Sequence, residues 1–145
     1  MHGLRALAVL LAAAALATAA AAATPLTAAQ YRAKANAVCR LDAKRAQAAG
    51  HTGNLALAIQ AQLQIAQASY AQLKALVAPA SLRPLNAQVL ANIRAGIGIV
   101  QGLLAQAKAG TLTAAEFQSN PQLSANASAE IALWRKLGAS ACAQS

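Results

Sequence analysis

Acidic residues are nearly missing from this chain. Asp42, Glu116 and Glu130 are the only three in 145 residues, against twelve Lys and Arg, giving a formal net charge of +9. General acid–base chemistry needs two positioned ionisable groups, and these three are scattered in sequence. A carboxylate-bridged di-iron site needs several inward Glu and His residues along a bundle, which the chain does not have. Histidine is confined to His2 and His51, the latter between glycines in a loop pattern where an imidazole is normally just solvated. No Cys-x-x-Cys pair supports zinc or c-type haem, and no glycine-rich phosphate loop follows a strand pattern. The expectation is therefore a protein that is not an enzyme, with no catalytic residue, no metal site and no cofactor.

Aromatics are also sparse: Tyr31, Tyr70, Phe117 and Trp134. No aromatic interleaves the basic residues, so nucleic acid is not an expected partner. β-Branched runs are few, and Ala, Leu and Gln dominate, which points to an all-α fold.

The N-terminus reads as a secretory signal. Met1 to Arg5 is short and positive, Ala6 to Ala17 holds only Ala, Leu and Val, and small residues follow. Ala21-Ala22-Ala23 is the candidate cleavage site and Ala17-Thr18-Ala19 its competitor; an uncleaved membrane anchor is the alternative. Residues 1–23 are thus assigned to a signal peptide and 24–145 to a single secreted or extracytoplasmic domain of the cell envelope. About 122 residues suffice for one modest core.

Helix punctuation is clear. Thr27-Ala28-Ala29-Gln30 has the form of a capping box, with Leu26 and Tyr31 placed as its hydrophobic staple. The first helix runs to about Ala49 before Gly50, with Tyr31, Ala35, Val38 and Leu41 inward and Cys39 on the shoulder. The second runs from Leu55 to Ala78, with Leu55, Ile59, Leu63, Ala66, Tyr70, Leu73 and Val77 on one face, and Pro79 ends it. The third spans about Leu85 to Ala109, its stripe being Leu85, Val89, Ile93, Ile97, Val100 and Leu104. Its interior glycines, Gly96, Gly98 and Gly102, each cost about 1 kcal/mol relative to alanine. Gly98-x-x-x-Gly102 is read as a close-packing contact within the bundle. The apolar run from Ala95 to Ala105 is too short to span a bilayer, so no transmembrane span is expected in the mature chain. Thr113 to Glu116 forms a second capping box opening a short helix. A last helix runs from Pro121 to Leu137 before Gly138. Long helices joined by short loops give an up-down bundle of about four helices plus the short connecting helix. Asn126-Ala127-Ser128 matches a glycosylation sequon, incidental behind a bacterial-looking leader.

Cys39 and Cys142 are expected to form an internal disulfide behind such a leader; two free thiols or an intermolecular bridge are the alternatives.

Three short motifs resemble a loose group of small secreted helical proteins of high-GC bacteria. They are Ala33-Lys34-Ala35-Asn36-Ala37-Val38-Cys39 early, the Leu-x-x-Leu-x-x-Pro stretch Leu73 to Pro79, and the Leu-Gly-x-x-x-Cys tail Leu137 to Cys142. The resemblance implies an exported helical domain with one structural disulfide at Cys39 and Cys142. It implies no activity.

Positive charge is the feature open to a functional reading. Lys44, Arg45, Lys74, Lys108, Arg135 and Lys136 fall near predicted helix C-termini, where cations oppose the macrodipole. Up-down topology would also gather Arg32, Lys34, Lys74, Arg83, Arg135 and Lys136 at one end, as a candidate site for an anionic envelope polymer or lipid headgroups. The leading expectation is a non-catalytic interaction or structural domain of the envelope. The alternatives are this anion-binding pole and a carrier of a small apolar ligand.

Overall fold

The computed structural model describes residues 24–49 and 53–144, and every regular element among them is helical. They are α1 (Ala28–Ala49), α2 (Leu55–Ala75), α3 (Arg83–Lys108), α4 (Ala114–Gln118) and α5 (Pro121–Leu137), followed by a 3-10 turn at Cys142–Gln144. The signal-peptide reading of residues 1–23, with His2, and the solvated His51 lie outside the described residues.

Local chemistry sets most helix starts. Thr27 and Gln30 exchange reciprocal side-chain-to-backbone hydrogen bonds of 3.0 and 3.2 Å. Thr113 and Glu116 do the same ahead of α4, and the bond from the Thr113 amide holds the Glu116 carboxyl below its usual range. Asn54 Oδ1 accepts from the Leu57 amide at 3.1 Å. Asn120 Oδ1 accepts from the amides of Gln122 and Leu123, opening α5 with Pro121 in its first turn. Each bond satisfies a backbone donor that would otherwise be orphaned in the first turn. Gly138 ends α5 with φ of 81°, a left-handed conformation that glycine adopts without steric cost.

Three boundaries and faces differ from the sequence reading. α2 stops at Ala75, short of Ala78, because Leu76 turns extended (ψ 122°). The released segment is pinned elsewhere: the Val77 carbonyl accepts from the Leu26 amide at 3.0 Å. α3 starts at Arg83, two residues before Leu85, since Pro84 fits the first turn. Leu41 is not inward; it is 40% exposed. The buried stripe of α1 is Tyr31, Ala35 and Val38. Steps of four and three carry that face on to Asp42, leaving Leu41 beside it.

α1 packs on α2, α2 on α3 and α3 on α5. The C-terminal turn then bridges α5 and α1, so the ring closes through the tail. Cys39 and Cys142 are joined by a disulfide, with Cα atoms 5.1 Å apart. The Ala141 amide donates to Asn36 Oδ1 at 2.9 Å, and Arg32 Nε donates to the Leu137 carbonyl at 2.7 Å. α3 is long and apolar enough to cross a membrane by length and composition alone; here it is the central helix, held between α2 and α5.

The core has two parts. The larger one, at the disulfide end, includes Tyr31, Leu73, Val89, Ile93, Trp134 and Leu137. Within it the buried Tyr31 hydroxyl donates to Asn86 Oδ1, and burial pushes the phenol up to about 12. The smaller part, at the opposite end, is Ile59, Leu63 and Leu104, covered by Leu112 and Phe117.

The helix-packing glycine is Gly96, not the Gly98/Gly102 pair. A Cβ at Gly96 would lie 2.6 Å from Asn126 Nδ2 on α5, whereas Cβ atoms at Gly98 and Gly102 would meet nothing within 4 Å. α5 crosses one turn earlier than the motif implied. Asn126, the sequon residue, is half-buried at this crossing. Gly98→Ala and Gly102→Ala are therefore each expected to stabilise the protein by about 0.5–1 kcal/mol, while Gly96→Ala gives no gain. Denaturant midpoints at constant slope will show this; a loss at Gly98 or Gly102 would restore the close-contact reading.

Candidate functional site

Alanine builds helices well but fills space poorly. The second half of α1 carries Ala43, Ala46, Ala48 and Ala49, and α5 begins only at Pro121. Between the two parts of the core this leaves a cleft of about 530 Å³, lined by all four long helices. Its walls are Ile65, Ala66 and Leu73 of α2, Ile93, Ile97 and Val100 of α3, and Leu123 and Trp134 of α5, with Gly96 and Asn126 meeting where α3 and α5 cross. Cys39 of the disulfide closes one end, and the exposed Ala43, Ala46 and Ala127 mark the mouth between α1 and α5. Size and apolar lining fall in the range of small-molecule sites, roughly 300–1,000 Å³.

Polar groups at the cleft are few and already oriented. Ser69 donates to the Asp42 carboxylate and lies 2.9 Å from the Ile65 carbonyl oxygen. Asp42 Oδ1 sits 3.5 Å from Arg45 Nη1, an ion pair in which neither atom completes a hydrogen bond. Trp134 Nε1 donates to Glu130 Oε1 at 3.1 Å. Burial raises the Glu130 carboxyl above its ordinary value, and the indole N–H partly opposes that. No Lys, Arg or His is among the lining residues. Among the described residues no group of three or more His, Cys, Asp or Glu is gathered for a metal ion.

The six cations of the anion-binding reading are placed by topology at the disulfide end, where α1 and α3 begin and α2 and α5 end. They are not equivalent. Arg32 is committed to the Leu137 carbonyl, capping the last turn of α5. Lys74 Nζ lies 5.9 Å from the centroid of the Tyr70 ring. Lys34, Arg83, Arg135 and Lys136 are exposed. Lys74, Lys108, Arg135 and Lys136 occupy last turns, but Lys44 and Arg45 do not, because α1 continues to Ala49. Arg45 is the partner of Asp42, one turn away on the same helix.

The sequence raises an apolar-ligand carrier among its readings, but it does not place the cleft or bring Asp42 and Glu130 to its wall. A signal existed for Asp42, which continues the inward stripe of α1, and for Glu130, one turn before Trp134. Compared with known proteins, the chain matches no protein-family model, no curated protein and no solved structure.

Proposed function

We propose that this is an exported, non-catalytic helical domain that carries a small apolar ligand in the cleft between α1, α2, α3 and α5. The observation that carries the reading is the cleft itself: an apolar hollow of about 530 Å³ in the middle of a bundle, open between α1 and α5. A bundle evolved only to be a rigid spacer gains by filling such space, since unfilled volume forfeits packing energy. Export rests on the order of the leader and on the Cys39–Cys142 disulfide, which suits an oxidising compartment. The carboxylates at the cleft already hold protein partners, and no histidine or free thiol lines it, which supports carriage over catalysis.

Trp134 is the single tryptophan and forms part of the wall, so binding has an internal reporter. N-phenyl-1-naphthylamine, a neutral apolar probe, is expected to brighten on binding and to quench Trp134 by energy transfer. Ala66→Phe, which fills the cleft from α2, should abolish both signals. Unchanged probe emission with the folded, oxidised protein would overturn the proposal.

The basic end supports a second reading, attachment to an anionic envelope polymer or to lipid headgroups. Joining of the helix ends there, by the Leu26–Val77 backbone bond and the Tyr31–Asn86 pair, brings Lys34, Lys74, Arg83, Arg135 and Lys136 to one end. Retention on anionic vesicles at low salt and release at high salt is the expected result; absence of retention at low salt would rule it out.

A further inference from the structure

Charge is distributed in an unexpected way around the cleft. The chain has twelve Lys and Arg and three acids, yet two of those three acids, Asp42 and Glu130, line this one cavity and no basic residue does. The third acid, Glu116, is exposed and occupied in the α4 capping box. We infer that the ligand is an amphipathic cation, with an apolar body held against α2 and α3 and a positively charged head seated between Asp42 of α1 and Glu130 of α5. This rests on the carrier reading above and gives it a substrate class.

The physical case is complementarity. Asp42 and Glu130 lie on the two helices that frame the mouth, and the α3 wall offers only Ile93, Gly96, Ile97 and Val100, with no charge. Arg45 offsets part of the Asp42 charge, but through a pair that lacks hydrogen-bond geometry. The remaining polar neighbours, Gln62 and Ser69 of α2 and Asn126 and Trp134 of α5, are neutral. Asp42 is paired with Arg45, while Glu130 holds only the neutral Trp134 N–H, which leaves a net negative site inside a strongly positive protein. A carboxylate raised in pKa by burial lacks compensating charge, and a cationic head is the partner that supplies it. Arg40 and Lys44, two residues either side of Asp42, are exposed, where solvent and salt weaken their effect on the site. The apolar walls leave no partner for an anionic head, which would face Asp42 and Glu130 directly.

The test compares three ligands of equal chain length, decyltrimethylammonium, decanol and decyl sulfate. Each is titrated below its micelle-forming concentration into the oxidised full chain, and Trp134 emission and calorimetry are read. The expected order is ammonium, then alcohol, then sulfate, with the ammonium about ten-fold tighter than the alcohol, the ratio one modest charge interaction gives. Glu130→Gln keeps the acceptor for Trp134 but removes the charge, and should bring the ammonium-to-alcohol ratio close to one. Asp42→Asn should lower it as well, by leaving Arg45 unopposed. Equal binding of ammonium and alcohol, a preference for the sulfate, or a ratio unchanged in both variants would overturn the cationic head while leaving the carrier reading intact. If none of the three binds, the carrier reading itself falls.

Discussion

Replacing both Cys39 and Cys142 by serine is expected to remove about 4 kcal/mol of folding stability. The bridge joins residues 103 apart in sequence. Constraining the unfolded chain over so long a loop is worth up to about 4.7 kcal/mol on the chain-entropy argument. Domains of this size are stable by only about 5–15 kcal/mol in total, so the variant loses roughly a quarter or more of its stability. At about 4 °C per kcal/mol for a chain of this length, the melting temperature should fall by roughly 15 °C. The fold itself survives at low temperature, because the tail is also held by non-covalent contacts. Ala139, Cys142 and Ala143 are buried, the Ala141 amide bonds Asn36, and Arg32 caps Leu137. Helix content at 10 °C should therefore match the wild type. Reduction of the wild type should reproduce the same melting shift and add two hydrogens to its intact mass. A shift under about 3 °C would mean that the tail docks without help from the bridge.

This bridge also explains why a cleft is tolerated. α1 and α5 close the ring mainly through the C-terminal turn, so the seam between them is covalently tied at the Cys39–Cys142 end and open towards Ala43, Ala46 and Ala127. A staple that acts largely on the unfolded state lets the native state keep unfilled volume that would otherwise cost stability.

What was legible in the sequence divides along the range of the forces involved. The capping boxes at Thr27 and Thr113, the stop at Gly138 and the exact span of α5 depend on residues within one helical turn, and they follow from sequence alone. The all-α fold and the disulfide follow from composition and from the placement of two cysteines. The end of α2 does not, because Leu76 and Val77 leave the helix to meet Leu26, some fifty residues earlier. The glycine spacing on α3 suggested a contact but could not say where α5 crosses, and Asn126 settles it at Gly96. The cleft was the least legible feature. It is made by what side chains fail to fill, and an alanine facing a void reads the same as one facing a neighbour. Asp42 and Glu130 read as scattered because they are far apart in sequence and join the same cavity only once α1 and α5 are both in place.

Trp134→Ala is the side-chain change with the largest expected effect, a loss of about 3–5 kcal/mol. The indole is 1% exposed and is the largest of the fully buried side chains. It touches the disulfide-end core on one side and the cleft on the other, so no neighbour is positioned to collapse into the space it leaves. The change also removes the N–H that donates to Glu130 at 3.1 Å. Burial already raises the Glu130 carboxyl; without that donor its charged form is less stable in the folded state, and its folded pKa rises further above the unfolded value. The resulting penalty is present where Glu130 is ionised in both states and vanishes once pH falls below the unfolded value, near 4.3. Trp134→Ala should therefore be more destabilising at pH 7 than at pH 4. Trp134→Phe refills most of the volume but not the hydrogen bond, so it should cost less overall and keep the same pH trend. Adding Glu130→Gln to Trp134→Phe should remove most of that trend, since no carboxyl remains to titrate. Chemical denaturation of the four proteins at both pH values measures all of this. A Trp134→Ala loss below about 1 kcal/mol would mean that the indole does not hold α5 against α1 and α3, and a loss independent of pH would mean that Glu130 finds another donor.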